Sequence, residues 1–179
     1  MLKVQKYVSF CGILPVHMLL ESFQVSSHFG NQNFQPLDSV NPCRNSGMKK
    51  TTVFIIEEEA PIANLIRYHL LSHQVRYVQV FPSVMECLYF MRKKSKPDFL
   101  IADLSYPEIN APVFLKSILQ SFPGVKILLL SPFNDDSFAT QLLQEGATDY
   151  ICKSGRMEDW IHELVKNMEF LIREKSRAD

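Results

Sequence analysis

The chain has 179 residues, which is long enough for one compact domain with a hydrophobic core and does not require a second domain. Its 19 lysines and arginines balance its 19 aspartates and glutamates, so no overall positive field favours binding to nucleic acid or to an acidic membrane surface. The four cysteines show neither a CxxC motif nor another metal-ligand spacing, which argues against a zinc site and is typical of a protein in a reducing cytoplasm.

Residues 1–47 differ in composition from the rest and hold only five of the 38 charged residues. An apolar run behind Lys3 and Lys6 resembles a signal peptide only loosely, because it contains Pro15 and lacks a small-x-small cleavage site, and it is too short to span a bilayer. The segment after it is rich in Gly, Asn, Ser and Pro without periodicity, so we expect disorder. Because MKKTTVFII has the character of a natural domain start, our hypothesis is that residues 1–47 are a disordered or non-native extension and that residues 48–179 form the domain.

From residue 51 onward, short apolar runs alternate with segments of helical periodicity. The strand TVFII is followed by a helix that begins near Pro61. Next come the strand VRYVQVF and the helix VMECLYFMRKK, and then the strand DFLIADL and the helix APVFLKSILQSF, which Asn110 and Pro112 open. The strand VKILLLS is nearly all apolar, as in a central parallel strand, and it precedes the helix SFATQLLQEG. Finally, the strand DYIC precedes a helix with Trp160 on its apolar stripe.

Five consecutive βα units predict an α/β fold, a doubly wound parallel sheet of five strands. In such a sheet, functional residues gather at the carboxyl ends of the strands. Polar residues follow four of the predicted strands at these ends: Glu57 with Glu58, Asp103, Ser131 and Lys153. We therefore expect residues that are far apart in the sequence to converge on one pocket.

Four segments at this edge carry a family resemblance. They are FIIEEE with its paired acids, PDFLIADLSYPEINA with Asp103, ILLLS with Ser131, and GATDYICKS with Tyr150 and Lys153. Asp103 precedes Ser131 by 28 residues, and Ser131 precedes Lys153 by 22. In the order and spacing of these motifs, residues 50–175 resemble a response-regulator receiver domain, which has the flavodoxin-like fold of the bacterial chemotaxis regulator.

The resemblance implies a magnesium-dependent phosphorylation site. Asp103 would accept the phosphoryl group, while Lys153 and Ser131 would contact its oxygens, and Tyr150 would rotate as the Ser131 hydroxyl moves. The implied ligands of Mg²⁺ are Glu57, Glu58, Asp103 and the backbone carbonyl of Ser105. Clustered carboxylates need such a cation, because otherwise they repel one another and their pKa values rise.

The sequence departs from the family pattern at four positions. Pro132 follows Ser131 and has no backbone N–H to offer to a phosphoryl group, which would remove about 1.5 to 3 kcal/mol of stabilisation. Glu58 replaces the usual aspartate and is one methylene longer, which crowds the octahedron that Mg²⁺ requires. Ser154 stands where receivers have a cis proline, so the loop is expected to run differently. Ala111 occupies a common glycine position and carries little weight.

The implied function is that of a two-component signalling receiver and not of an enzyme. The implied partners are a sensor histidine kinase or phosphotransfer protein and a downstream protein that binds the face of helix 4, strand 5 and helix 5; a homodimer is left open. We expect a cytoplasmic location, with no membrane or nucleic-acid partner. The alternative is a pseudo-receiver that acts as a docking module without phosphorylation, which Pro132, Glu58 and Ser154 favour.

Two other α/β functions fit less well. An aspartyl phosphatase would carry an aspartate two residues after Asp103, where this chain has Ser105. In a flavodoxin, the acids Glu57 to Glu59 would repel the flavin phosphate. His69 and His162 lie at helical positions without a nearby ligand spacing, so no cofactor is expected there.

Overall fold

A computed structural model of the chain describes residues 51–73, 75–105 and 110–178. The prediction for residues 1–47 lies outside these ranges. Five strands alternate with five helices in the order β1 (Thr52–Ile56), α1 (Ala60–Ser72), β2 (Tyr77–Phe81), α2 (Val84–Lys93), β3 (Phe99–Asp103), α3 (Ala111–Ser121), β4 (Lys126–Ser131), α4 (Asp136–Gln144), β5 (Asp149–Cys152) and α5 (Met157–Ala178). Among the helices in these ranges, none combines the length and the hydropathy needed to cross a bilayer.

The strands form one parallel sheet in the order β2-β1-β3-β4-β5. This confirms the predicted doubly wound fold. The order reverses between β1 and β3, so the carboxyl ends of these two strands flank the crevice in which ligands of such sheets bind. The second strand is shorter than predicted, since it begins at Tyr77 and not at Val75.

Both faces of the sheet are covered by helices. On one face, inward residues of the strands pack against α1 and α5, with Leu70 and Leu164 fully buried between them. On the other face, the rings of Phe54, Phe81 and Phe90 pack together at centroid distances of 5.1 to 5.6 Å, which joins α2 to β1 and β2. Burying one such side chain contributes about 1.5 to 3 kcal/mol to the free energy of unfolding. The packed helices on both faces therefore stabilise the sheet that carries the residues at its carboxyl edge.

The helix starts follow the local signals in the sequence. The side chain of Asn110 accepts a hydrogen bond of 3.2 Å from the N–H of Val113, as expected of an N-cap, and Pro61 lies in the first turn of α1. Asp135 caps α4 by accepting from the N–H groups of Ser137 and Phe138, both at 3.0 Å. These caps fix where each helix leaves the loop above the carboxyl edge.

The two cysteines in the described ranges are free thiols. Cys87 is buried in α2, and burial raises the pKa of its thiol to about 12. Cys152, at the end of β5, is half-buried. The thiol of Cys87 is therefore protonated at neutral pH and serves packing.

Candidate functional site

Asp103 is the last residue of β3 and lies at the carboxyl edge of the sheet, where it is only 2% exposed. Its Oδ1 accepts hydrogen bonds from the backbone N–H of Ser105 at 2.9 Å and from the Ser105 hydroxyl at 2.6 Å. Its Oδ2 accepts from the ammonium of Lys153 at 2.6 Å. The carboxylate is thus held in one orientation by three donors, two of which are side chains.

Lys153 follows β5 and reaches across β4 toward Asp103. The backbone N–H of Lys153 donates to the carbonyl of Ser131 at 2.7 Å, which continues the pairing of β4 and β5 by one residue. Its side chain is 10% exposed, and its Nζ lies 3.6 Å from Oε2 of Glu57 as well as 2.6 Å from Oδ2 of Asp103. One ammonium therefore faces two buried carboxylates.

Glu57 is the second buried acid of the site and directly follows β1. Its N–H donates to the carbonyl of Phe81 at 3.0 Å, and its Oε1 accepts from the N–H of Glu59 at 3.0 Å. Its Oε2 is buried, and no hydrogen bond from the described residues reaches it. A buried anionic oxygen without a donor is unfavourable unless a cation compensates it.

The pKa of Glu57 is raised from 4.5 to about 7. Burial is the largest cause, and the nearby charge of Asp103 adds to it, while the N–H of Glu59 and the ammonium of Lys153 act in the opposite direction. Two carboxyl groups thus share one ammonium, so with both ionised the site carries more negative charge than Lys153 neutralises.

The predicted metal ligands are only partly gathered. Glu57 and Asp103 meet at the ammonium of Lys153, whereas Glu58 is exposed at the rim and outside this buried cluster. In the described ranges, no three side chains of the His, Cys, Asp or Glu types are arranged to hold a metal ion together. The unpartnered Oε2 of Glu57 and the raised pKa nevertheless fit a divalent cation, since oxygen ligands of this kind suit Mg²⁺.

Ser131 and Tyr150 meet through the loop after β4. Ser131 is fully buried at the end of that strand, and its Oγ accepts a hydrogen bond of 3.1 Å from the N–H of Phe133. The hydroxyl of Tyr150 donates to the carbonyl of Phe133 at 2.7 Å, and burial raises the pKa of this hydroxyl above its usual value. The backbone N–H of Phe133 is thus bonded to Ser131, and its carbonyl is bonded to the predicted switch residue Tyr150.

Sequence reasoning missed two contributors to the site. The first is the Ser105 hydroxyl, which bonds Asp103, although only the Ser105 carbonyl was predicted to take part. The second is Phe133, whose N–H is the first backbone donor after Ser131 because Pro132 has none. The signal for Phe133 was available, since a Ser side chain commonly bonds the backbone two residues further along the chain.

The departure at Ser154 has a local counterpart. Every peptide bond that the structure describes is trans, including the one between Lys153 and Ser154. The next residue, Gly155, has a φ of 78°, in the region that favours glycine. The chain turns toward α5 there without a proline.

Comparison with known proteins matches most of the chain to one family. The sequence model of the response regulator receiver domain family matches residues 53–165, which is more than half of the chain. The response regulator GacA of Pseudomonas aeruginosa is 30% identical over 76 residues, covering 42% of this chain and 35% of that protein. The transcriptional regulatory protein DegU of Brevibacillus brevis is 34% identical over 61 residues, covering 34% of this chain and 26% of that protein.

Solved structures agree on the fold. The Francisella response regulator 1452 receiver domain superposes with a TM-score of 0.60 at 18% identity, covering 70% of this chain and 98% of that one. A response regulator from Thermotoga maritima superposes with a TM-score of 0.58 at 24% identity, covering 70% of this chain and 99% of that one. The chain spans roughly a quarter to a third of the curated relatives GacA and DegU but nearly the whole of these two solved structures. The chain therefore belongs to the response regulator receiver domain family of two-component signalling.

Proposed function

We propose that Asp103 accepts a phosphoryl group from a histidine kinase or phosphotransfer protein and that this modification switches a protein-binding face. The observation that carries the proposal is the buried carboxylate of Asp103, bonded at 2.6 Å to Lys153 beside the unpartnered Oε2 of Glu57. Such a cluster gathers a nucleophile, a mobile cation and excess negative charge at the switch point of the sheet. Membership of the receiver domain family supports a role as a signalling module.

The proposed chemistry requires little movement. A carboxylate oxygen of Asp103 attacks the phosphorus of phosphohistidine, a P–O bond forms, and the P–N bond breaks with its electron pair returning to the imidazole. The ammonium of Lys153 leaves the carboxylate oxygen for an oxygen of the phosphoryl group, which a flexible lysine stem allows. Ser105 holds the other oxygen of Asp103 through its N–H and hydroxyl.

The residues that would hold Mg²⁺ are Glu57 and Asp103, together with the carbonyl of Ser105 as the resemblance implies. When bound, the ion would neutralise charge on the phosphoryl oxygens during in-line transfer. Glu58 would join only by turning inward from its exposed position. Glu57 is thus the acid best placed for the role, because its Oε2 has no other donor among the described residues.

The proposed switch is the contact among Ser131, Phe133 and Tyr150. For the Ser131 hydroxyl to approach a phosphoryl group on Asp103, the Oγ would give up its 3.1 Å hydrogen bond from Phe133. The loop after β4 would then move, and the Tyr150 hydroxyl would lose its partner at the Phe133 carbonyl. This would change the surface of α4, β5 and α5, where we place the downstream protein.

A second function is favoured by the same loop. Because Pro132 has no N–H and the N–H of Phe133 is bonded to Ser131, neither of the first two residues after Ser131 offers a free backbone donor to a phosphoryl group. The two hydrogen bonds of Phe133 would also hold the loop rigidly in one conformation. These contacts favour a docking module whose face stays fixed without phosphorylation.

One experiment separates the two functions. The full chain is incubated with acetyl phosphate and Mg²⁺, and both intact mass and tyrosine and tryptophan fluorescence are followed, with Asp103→Asn as the control. A switch predicts a Mg²⁺-dependent mass gain of one phosphoryl group and a fluorescence change, both absent from the control. If the unmodified chain shows no Mg²⁺-dependent gain in mass and no fluorescence change, that result would contradict the switch and support the fixed docking module.

The remaining predictions about partners are unchanged. The cytoplasmic location, the absence of a nucleic-acid partner and the open question of a homodimer stay predictions. The relatives DegU and GacA are named as a transcriptional regulatory protein and a response regulator, and each is longer than the part that matches. We therefore keep the absence of nucleic-acid binding as a prediction for the receiver domain.

A further inference from the structure

A second polar site lies on the face of the sheet covered by α1 and α5, where a groove of about 470 Å³ runs between the two helices. Its walls carry three histidines, His69 and His73 from the α1 side and His162 from α5. Its floor is apolar and includes Leu65 and Val165. Imidazole nitrogens are the ligands that zinc, nickel and copper ions share, so the histidines are the feature that needs an explanation.

His69 and His73 are one helical turn apart. The N–H of His73 donates to the carbonyl of His69 at 3.1 Å, so the α-helical turn is complete although His73 is the C-cap residue. Side chains four residues apart on a helix have Cβ atoms about 5 to 6 Å apart on one face. Two imidazoles at this spacing can bind one metal ion between them.

Glu169 sets the tautomer of His73. Nδ1 of His73 lies 2.6 Å from Oε1 of Glu169 on α5. An ionised carboxylate only accepts hydrogen bonds, so Nδ1 carries a proton, and in the neutral imidazole Nε2 is then the nitrogen with the free lone pair. Metal-binding histidines are commonly oriented by a carboxylate in this way, which raises the basicity of the coordinating nitrogen.

The other polar side chains that line the groove do not belong to this helical pair. Asp159 is engaged by Arg156 through hydrogen bonds of 2.8 and 3.0 Å, and His162 projects from the opposite helix. Within the residues described, no three side chains of the metal-binding types stand close enough to share an ion. His69 and His73 have the four-residue helical spacing that suits a two-histidine chelate, and water would fill the remaining coordination positions.

We propose that His69 and His73 chelate a divalent transition-metal ion of the zinc and nickel class, with Glu169 as the residue that orients His73. This site is distinct from the proposed Mg²⁺ site, because nitrogen ligands select transition metals and oxygen ligands select magnesium. The two sites also use different residues. The chelate therefore stands or falls independently of phosphorylation at Asp103.

The test is a titration of the untagged, metal-free full chain with Zn²⁺ by isothermal calorimetry. Because residues outside the described ranges include other histidines and cysteines, the readout is the difference between each variant and the unmodified chain. His69→Ala and His73→Gln are each expected to weaken one binding event by about tenfold or more, and Glu169→Gln by about 10- to 100-fold. Circular dichroism verifies that each variant is folded.

Two controls complete the design. His162→Ala removes the same residue type from the same groove but from the other helix, and it is expected to leave the affinity within about twofold. NMR of the imidazole groups should place the zinc-dependent shifts on His69 and His73. Unchanged zinc affinity in both His69→Ala and His73→Gln, or an equal loss in His162→Ala, would overturn the proposal.

Discussion

Neutralising Glu57 tests the charge imbalance of the site. The pKa of this carboxyl rises from 4.5 to about 7 because burial disfavours its charged form. Between these two values, the folded state binds the proton more tightly than the unfolded state does, so the carboxyl's contribution to the free energy of unfolding falls as the pH rises through that window. Each unit of pKa corresponds to about 1.4 kcal/mol, which gives an upper limit of about 3 kcal/mol above pH 7.

The variant Glu57→Gln keeps the shape of the side chain and removes the titration. We expect its free energy of unfolding, relative to the unmodified chain, to increase from pH 4.5 to pH 7.5 by an amount approaching that limit, because the amide does not titrate. The hydrogen bonds of the amide add an offset that does not change with pH. Urea denaturation followed by circular dichroism in EDTA at several pH values measures the difference. The exposed neighbour variant Glu58→Gln is the matched control and should stay within about 0.5 kcal/mol.

A flat difference between Glu57→Gln and the unmodified chain across this pH range would refute the reasoning. It would mean that Lys153, 3.6 Å from Oε2, already compensates the buried charge. Repeating the series with Mg²⁺ gives a further check, since a bound cation should stabilise the unmodified chain most at high pH and should do less for the variant.

Three other predictions concern the loop after β4 and the core. Pro132→Ala supplies a backbone N–H, so we expect beryllofluoride to bind about tenfold more tightly or better in the presence of Mg²⁺, measured by fluorescence titration; unchanged affinity would show that this position does not face the bound group. Tyr150→Phe removes the 2.7 Å hydrogen bond to the Phe133 carbonyl and should cost about 0.5 to 1.5 kcal/mol in urea denaturation, and a gain in stability would contradict the contact. Leu164→Ala leaves a cavity between α5 and the sheet and should cost about 2 to 5 kcal/mol by the same assay, whereas a loss below about 1 kcal/mol would show that α5 packs loosely.

The sheet was predictable because its strands are marked by strong local patterns. The run VKILLLS has apolar residues on both faces, which only a central strand covered by two layers of helices requires, and β4 is buried in this way. The cap of α3 could likewise be derived from a single residue, Asn110. The start of the second strand was predicted two residues too early, because Val75 is buried like a strand residue, whereas pairing with β1 begins at Tyr77.

The sequence predicts which residues lie at the carboxyl edge of the sheet, but not how their side chains are oriented. Topology alone places Asp103 beside Lys153, because their strands end at the same edge. It does not decide which of two adjacent acids turns inward, and here Glu57 is buried while Glu58 is exposed. That outcome depends on the loop, where the N–H of Glu59 bonds the side chain of Glu57.

The histidine pair is visible in the sequence only in part. His69 and His73 are four residues apart at the C-terminal end of α1, a spacing that can be read directly from the sequence. The carboxylate that orients His73 comes from α5, 96 residues later, and no local pattern indicates it. The pairing of α1 with α5 in the folded domain supplies it.

The most direct test of the central claim is to locate the phosphoryl group chemically. After incubation with acetyl phosphate and Mg²⁺, reduction with borohydride converts an acyl phosphate into a primary alcohol, and tandem mass spectrometry of the peptide from β3 identifies the residue. If Asp103 is the acceptor, we expect homoserine at position 103 only when both the donor and Mg²⁺ are present. Modification at another residue, or an unmodified Asp103 under conditions that phosphorylate an active receiver domain in the same tube, would contradict it.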